Sequence, residues 1–155
     1  MESIPQKLRD AVENFVKIKG GGYVGFCAGA YTSTRISGTS HFLGFNLMTG
    51  FTIPYMEPGN LLRIMPIEWK GKLRHIYFEG GPYLAPLGPG AEVIAHYPDG
   101  KIAAARMKTG NGRVFVTGLH PEAPQWWRDF HHFKDPDGTD FDLVDDMIRW
   151  VMKKE

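Results

Sequence analysis

The spacing of apolar positions changes along this chain and divides it into elements. From residue 4 to 19, Leu8, Val12, Phe15 and Val16 recur at helical spacing, with Ser3 and Pro5 at the start and Gly20 at the end, which predicts a helix capped by Ser3. Tyr23 to Phe26 is a short apolar run and predicts a buried strand. Ala28 to about Thr34, rich in small residues, predicts a helix lying close against it. From Ser37 to Asn60, Gly, Thr and Ser surround isolated aromatics, and a long ordered surface excursion is expected there. Strands are then predicted at Leu62 to Trp69, Leu73 to Phe78, Glu92 to Tyr97, Ile102 to Met107 and Arg113 to Thr117. Lys70-Gly71-Lys72, Pro98-Asp99-Gly100 and Gly110-Asn111-Gly112 are short breakers that join antiparallel neighbours, so hairpins are expected in the middle region. Parallel pairing is expected mainly at the strand-turn-helix unit around residue 27. From Asp140 to Lys153, Leu143, Val144, Met147, Ile148 and Val151 fall on one helical face, with Asp early and Lys late as the helix dipole favours.

The bulk properties narrow the function classes. At 155 residues, 43% hydrophobic and 13% aromatic, the chain is expected to fold as one globular domain over 1–155. Eighteen basic against seventeen acidic residues, without a basic run or arginine stripe, argue against nucleic acid and membrane surfaces as partners. One cysteine excludes an internal disulfide. No apolar run reaches a membrane span, and Met1-Glu2-Ser3-Ile4-Pro5 lacks a signal segment, so a cytoplasmic location is expected.

The one cysteine, Cys27, stands where the predicted strand meets the predicted helix, with Gly25 and Gly29 two residues to either side. Glycines there relieve crowding in a tight strand-to-helix turn and let the sulfur project. A helix start favours thiolate, and the amide of Ala28 is placed to donate to an oxyanion. The alternative is a small buried hydrophobe. About ninety residues on, a strand ends in Gly118-Leu119-His120-Pro121-Glu122. Pro121 holds the backbone so that His120 and Glu122 project on one side, base and orienting carboxylate for a thiol nucleophile. The alternative is a loop histidine with an exposed glutamate.

Gly25-Phe26-Cys27-Ala28-Gly29-Ala30-Tyr31 resembles the cysteine elbow of the class I glutamine amidotransferase-like superfamily, and His120-Pro121-Glu122 resembles its His-x-Glu pair. Together with Gly20 to Tyr31, Phe78-Glu79-Gly80-Gly81-Pro82-Tyr83, Tyr97 to Gly100 and Gly112 to Glu122, the match is closest to the amidotransferase-like domain at the amino end of some biotin-protein ligases and its free-standing relatives. The resemblance implies an α/β fold: a three-layer, flavodoxin-like sandwich with a mostly parallel central sheet, shortened at the N-terminus. It also implies a triad of Cys27, His120 and Glu122. The pattern departs at Tyr31, where glutamine amidotransferases carry glutamine beside the substrate. Because the family's first strands are lacking, a self-associated oligomer or a partner chain is expected to cover an exposed sheet edge.

Other residues invite narrower expectations. Glu79 and the amides of Gly80 and Gly81 are candidates for the rim of the thiol pocket, against a plain strand-ending turn. His131 and His132 with Asp135, Asp137 and Asp140 offer metal-like residue types without ligand spacing, so neither metal nor cofactor is expected. Trp126 and Trp127, beside Phe130, are expected in the core. Gly20-Gly21-Gly22 lacks the Lys-Ser/Thr of a phosphate loop. The expected activity is a cysteine-dependent attack on a small-molecule amide or ester. The alternatives are a non-catalytic binding module and a structural subunit.

Overall fold

A computed structural model describes residues 4–37, 42–56 and 61–153; the expected Ser3 cap lies outside them. Helix α1 (Gln6–Glu13) continues directly into a π-helical turn, Asn14–Ile18. Strand β1 (Gly22–Phe26) and helix α2 (Ala28–Ser33) follow as the apolar pattern predicts. The expected excursion is corrected in part, for it contains β2 (Thr34–Ser37), β3 (Phe42–Leu43) and β4 (Met48–Pro54). The β4 composition, with Gly50 and two threonines, hides a strand that pairing with neighbours on both sides imposes. Its residues 38–41 and 57–60 lie outside the described set.

Strands β5 (Leu62–Trp69), β6 (Lys72–Glu79), β7 (Pro82–Ala85), β8 (Ala91–His96), β9 (Ile102–Thr109) and β10 (Gly112–Thr117) come next. All but β7 coincide with the predicted runs to within two residues. Helices α3 (Gln125–Phe130) and α4 (Phe141–Val151) close the chain. Among the described residues the strands form one ten-stranded sheet in which β9 pairs with β7, β8 and β10.

The mixed α/β class holds, but the sheet is less parallel than the resemblance implies. Among the described residues only β1–β10 and β2–β4 run parallel. The turns at Lys70–Gly71, Tyr97–Lys101 and Gly110–Asn111 are too short for a crossover and close the antiparallel hairpins β5–β6, β8–β9 and β9–β10. Helices cover both faces. On one, Leu143, Met147 and Val151 of α4 pack over Phe115, Trp69 and Ala103. On the other, Val16 and Ala30 pack over Val114, Val116 and Ala105. Strand β10 serves both layers because alternate residues point to opposite faces.

Arg128 of α3 is fully buried and organises the segment before α4. It pairs with Asp135, reaches Asp140 at 3.1 Å and donates to the Ala123 carbonyl at 2.7 Å. Arg74 of β6 joins the same network through Asp140 and Asp142. The acidic residues that look like metal ligands in the sequence are thus engaged with arginines, and Asp137 accepts from the His75 amide. A buried charge network tolerates loss of one member poorly. Arg128→Ala is expected to lower unfolding stability by about 3 kcal/mol or more, read from urea titration at neutral pH.

Candidate thiol site

Parallel pairing brings the two distant motifs together. In the β1–β10 register Phe26 lies opposite Thr117, and the Cys27 amide extends the ladder by donating to the Thr117 carbonyl at 2.9 Å. Parallel strands finish at the same end of a sheet, so Cys27 and the loop Gly118–Glu122 emerge side by side. Cys27 has φ 43° and ψ −98°, a strained conformation for a residue with a side chain. The strain belongs to the abrupt turn from β1 into α2. The thiol is half-buried and lies 3.5 Å from the Glu79 carbonyl.

The two elbow glycines play unequal parts. A Cβ on Gly25 would sit 2.7 Å from the Gly29 carbonyl group, so close passage of strand and helix requires glycine there. A Cβ on Gly29 would meet nothing nearer than the Tyr23 hydroxyl at 3.6 Å, an ordinary contact. The shared steric reason expected from sequence therefore applies to Gly25 alone. Ala28 opens α2 and is exposed.

His120 is anchored through its backbone, its amide donating to the Tyr77 carbonyl of β6 at 2.9 Å. Its Nδ1 lies 2.8 Å from Glu122 Oε1. Burial disfavours the charged ring. Hydrogen bonds with Cys27 and Glu122, and the charge of both, outweigh it and push the imidazole up to about 9. The second Glu122 oxygen, Oε2, is buried without a hydrogen-bond partner.

Two aromatic rings that sequence reading did not assign to the site hold His120 from the sides. Tyr77 and Trp127 meet it at centroid distances of 6.0 and 5.6 Å, both edge to face. No local signal in the sequence marks Tyr77, whose contact with His120 exists only through the sheet. The expectation that both tryptophans are core is corrected: Trp127 is half-buried against His120, while Trp126 is 65% exposed and Phe130 is 74% exposed. Arg128, between them, takes the inward position on this short helix.

The Glu79-Gly80-Gly81 turn does border the thiol, but its carbonyls face inward. The Tyr31 hydroxyl donates to the Gly80 carbonyl at 3.2 Å, and burial raises the phenol to about 12, so it remains a neutral donor. The Gly80 amide, expected at the rim, instead donates to the Leu61 carbonyl at 2.9 Å. Gly81 packs so tightly on Gly118 that a Cβ would overlap the Gly118 carbonyl. The two glycines bring the β6–β7 turn against the end of β10.

No protein-family profile matches the chain, and no curated protein matches it. Among solved structures, the crystal structure of a glutamine amidotransferase superposes with TM-score 0.62 at 22% identity, over 79% of this chain. The chain spans 66% of that protein's length. It shares the glutamine amidotransferase-like fold, an α/β sheet with flanking helices. Two structures of Gan42B, a GH42 beta-galactosidase, one of them a catalytic mutant from G. stearothermophilus, superpose with TM-scores of 0.48 and 0.47. Both are 18% identical and cover 83% of this chain and 19% of the galactosidase. Among the described residues, no helix is long and apolar enough to cross a membrane.

Two outcomes follow from this geometry. Gly25→Ala is expected to cost about 2 kcal/mol in urea denaturation, whereas Gly29→Ala changes stability by less than about 1 kcal/mol. In NMR titration the His120 ring is expected to hold its proton through neutral pH and release it near 9, and Glu122→Gln is expected to move that midpoint down. Because the folded value lies above the ordinary 6.5, the ring's contribution to stability is complete below that value and disappears as pH rises through 9.

Proposed function

We propose that this chain is a cysteine-dependent hydrolase of the glutamine amidotransferase-like fold, acting on a small amide or ester. What supports the reading is that the parallel β1–β10 ladder ends with Cys27 and the His120 loop side by side, and that Glu122 Oε1 lies 2.8 Å from His120 Nδ1. In this reading the sulfur attacks the substrate carbonyl carbon as the thiolate of a Cys27–His120 ion pair, the proton already on the imidazolium. His120 then gives that proton to the leaving amine or alcohol, and the acyl group remains as a thioester on Cys27. Water then attacks the thioester, giving the acid and the restored thiol. Glu122 keeps Nδ1 protonated and supports the imidazolium. The Ala28 amide contributes one donor to the oxyanion.

Glutamine is not the substrate favoured by this pocket, because Tyr31 fills the position beside the elbow and is tied to the Gly80 carbonyl. The long phrases around Cys27, Glu79 and His120 support placing the chain among the free-standing relatives of biotin-protein ligase amidotransferase-like domains. A half-buried lone thiol within water's reach suits an enzyme of the reducing cytoplasm, where cysteine stays free.

One observation favours a second reading, a binding module without turnover. The Glu79 and Gly80 carbonyls point at the thiol and at Tyr31, so this side of the pocket presents acceptors where a developing oxyanion needs donors. Alkylation separates the two. With a single cysteine in the sequence, iodoacetamide labelling followed by mass spectrometry reports Cys27 alone. For the hydrolase, His120→Ala is expected to slow labelling at pH 7 by about tenfold or more, and Cys27→Ser to abolish hydrolysis of a thiol-reactive activated ester. Equal labelling rates in wild type and His120→Ala would favour the binding module.

A further inference from the structure

The hydrogen-bond parity of β6 sends two of its carbonyls toward the thiol site. Leu62 and Glu79 stand opposite each other, and the Gly80 amide donates to the Leu61 carbonyl at 2.9 Å. Phe78 and Gly80 therefore turn their backbone groups toward β5, while Tyr77 and Glu79 turn theirs away from it. The Tyr77 carbonyl accepts the His120 amide at 2.9 Å. The Glu79 carbonyl, in the equivalent place one step along, faces the Cys27 thiol at 3.5 Å, and among the described residues that weak donor is its one partner.

Ionisation removes even that donor. In the thiolate–imidazolium pair the sulfur has lost its proton, and the Glu79 oxygen then faces an anion at 3.5 Å with no hydrogen between them. The other groups on this wall supply none. Tyr31 has its proton on the Gly80 carbonyl and keeps only lone pairs to offer, and the Tyr97 hydroxyl is spent on the Pro82 carbonyl. The charge of Cys27 helps burial to raise the Tyr31 phenol, which places that ring beside the sulfur. Glu79 and Glu122 bring carboxylates to the site, through their action on Tyr77 and His120. The nearby cations are engaged: Arg128, which acts on Tyr77, is held by Asp135 and Asp140, and Lys101, over the Tyr55 and Tyr83 rings, pairs with Asp99.

We propose, resting on the hydrolase reading above, that the acyl part of the substrate carries an amino group on the carbon next to its reactive carbonyl, which makes the substrate an α-aminoacyl ester or amide. In the thioester that nitrogen is three bonds from the sulfur and about 3 to 4 Å from it, so the Glu79 oxygen, 3.5 Å from the same sulfur, is within reach of an ordinary N–H···O bond. The Tyr31 oxygen is a second acceptor on that side. An amino group at the far end of the acyl chain, as in glutamine, would lie beyond both. The carbonyls that are unsuited to an oxyanion thus serve to recognise an amine.

Hydrolysis of alanine ethyl ester is compared with that of ethyl 2-methoxypropanoate, which puts an acceptor in place of the amine, each rate being divided by the alkaline hydrolysis rate of the same ester. kcat/KM is expected to favour the alanine ester by about tenfold or more, and Cys27→Ser to abolish the reaction. Equal values, or a preference for the methoxy ester, would overturn the proposal and leave the hydrolase standing. Hydrolysis of both esters no faster than by Cys27→Ser would remove the hydrolase and the proposal together. The same selectivity is read without turnover from 2-aminoethyl and 2-sulfonatoethyl methanethiosulfonate, which modify the single cysteine. Relative to their rates with free 2-mercaptoethanol, the amino reagent is expected to react about tenfold faster or more. Equal relative rates, or a faster sulfonate, would also overturn the proposal.

Discussion

The parallel ladder between β1 and β10 is the contact on which the site depends, because it alone brings residue 27 to residue 120. Its last rung, from the Cys27 amide to the Thr117 carbonyl, holds the start of the elbow while the chain turns into α2. Strain at Cys27 is tolerated because both sides of the turn are held: β1 in the ladder, and α2 by the Gly25–Gly29 contact and the Tyr23 hydroxyl on the Gly29 carbonyl. On the other side, Leu119 is buried and the His120 amide is bonded to β6, so the imidazole is carried by sheet and not by a free loop.

A second constraint acts from the side. The β6–β7 turn is pressed against the end of β10 through Gly81 and Gly118, and the Tyr97 hydroxyl donates to the Pro82 carbonyl at 2.8 Å behind it. This fixes the carbonyl-lined wall of the thiol pocket. The buried Arg128 network performs a comparable task for α3, whose Trp127 rests on His120. Polar interactions far from the sulfur thus decide how the imidazole is walled, which ties the stability of the 123–140 segment to the chemistry available at Cys27.

Among the described residues, the strand that leads into Cys27 pairs on one side only, with β10. An elbow needs its strand to end abruptly in a helix, and a strand of five residues with glycine at two of them has little side-chain surface with which to shield its own edge.

The sequence by itself determined the local elements wherever one period dominates: α4, the β5–β6, β8–β9 and β9–β10 hairpins, and the strand-turn-helix unit at Cys27, each readable from apolar spacing and turn residues. It also pointed to Cys27, His120 and Glu122 as one set through their motifs. Tertiary structure decided what local pattern cannot encode. Strand β4 forms from a Gly- and Thr-rich stretch because β2 and β7 bond it from both sides. The inward position on α3 goes to Arg128, and not to Trp126, because two carboxylates are waiting there. The Glu79 carbonyl, and not the Gly80 amide, faces the thiol because that amide is taken by the Leu61 carbonyl. In each case the deciding energy comes from a partner remote in the chain, so no window of neighbouring residues contains it.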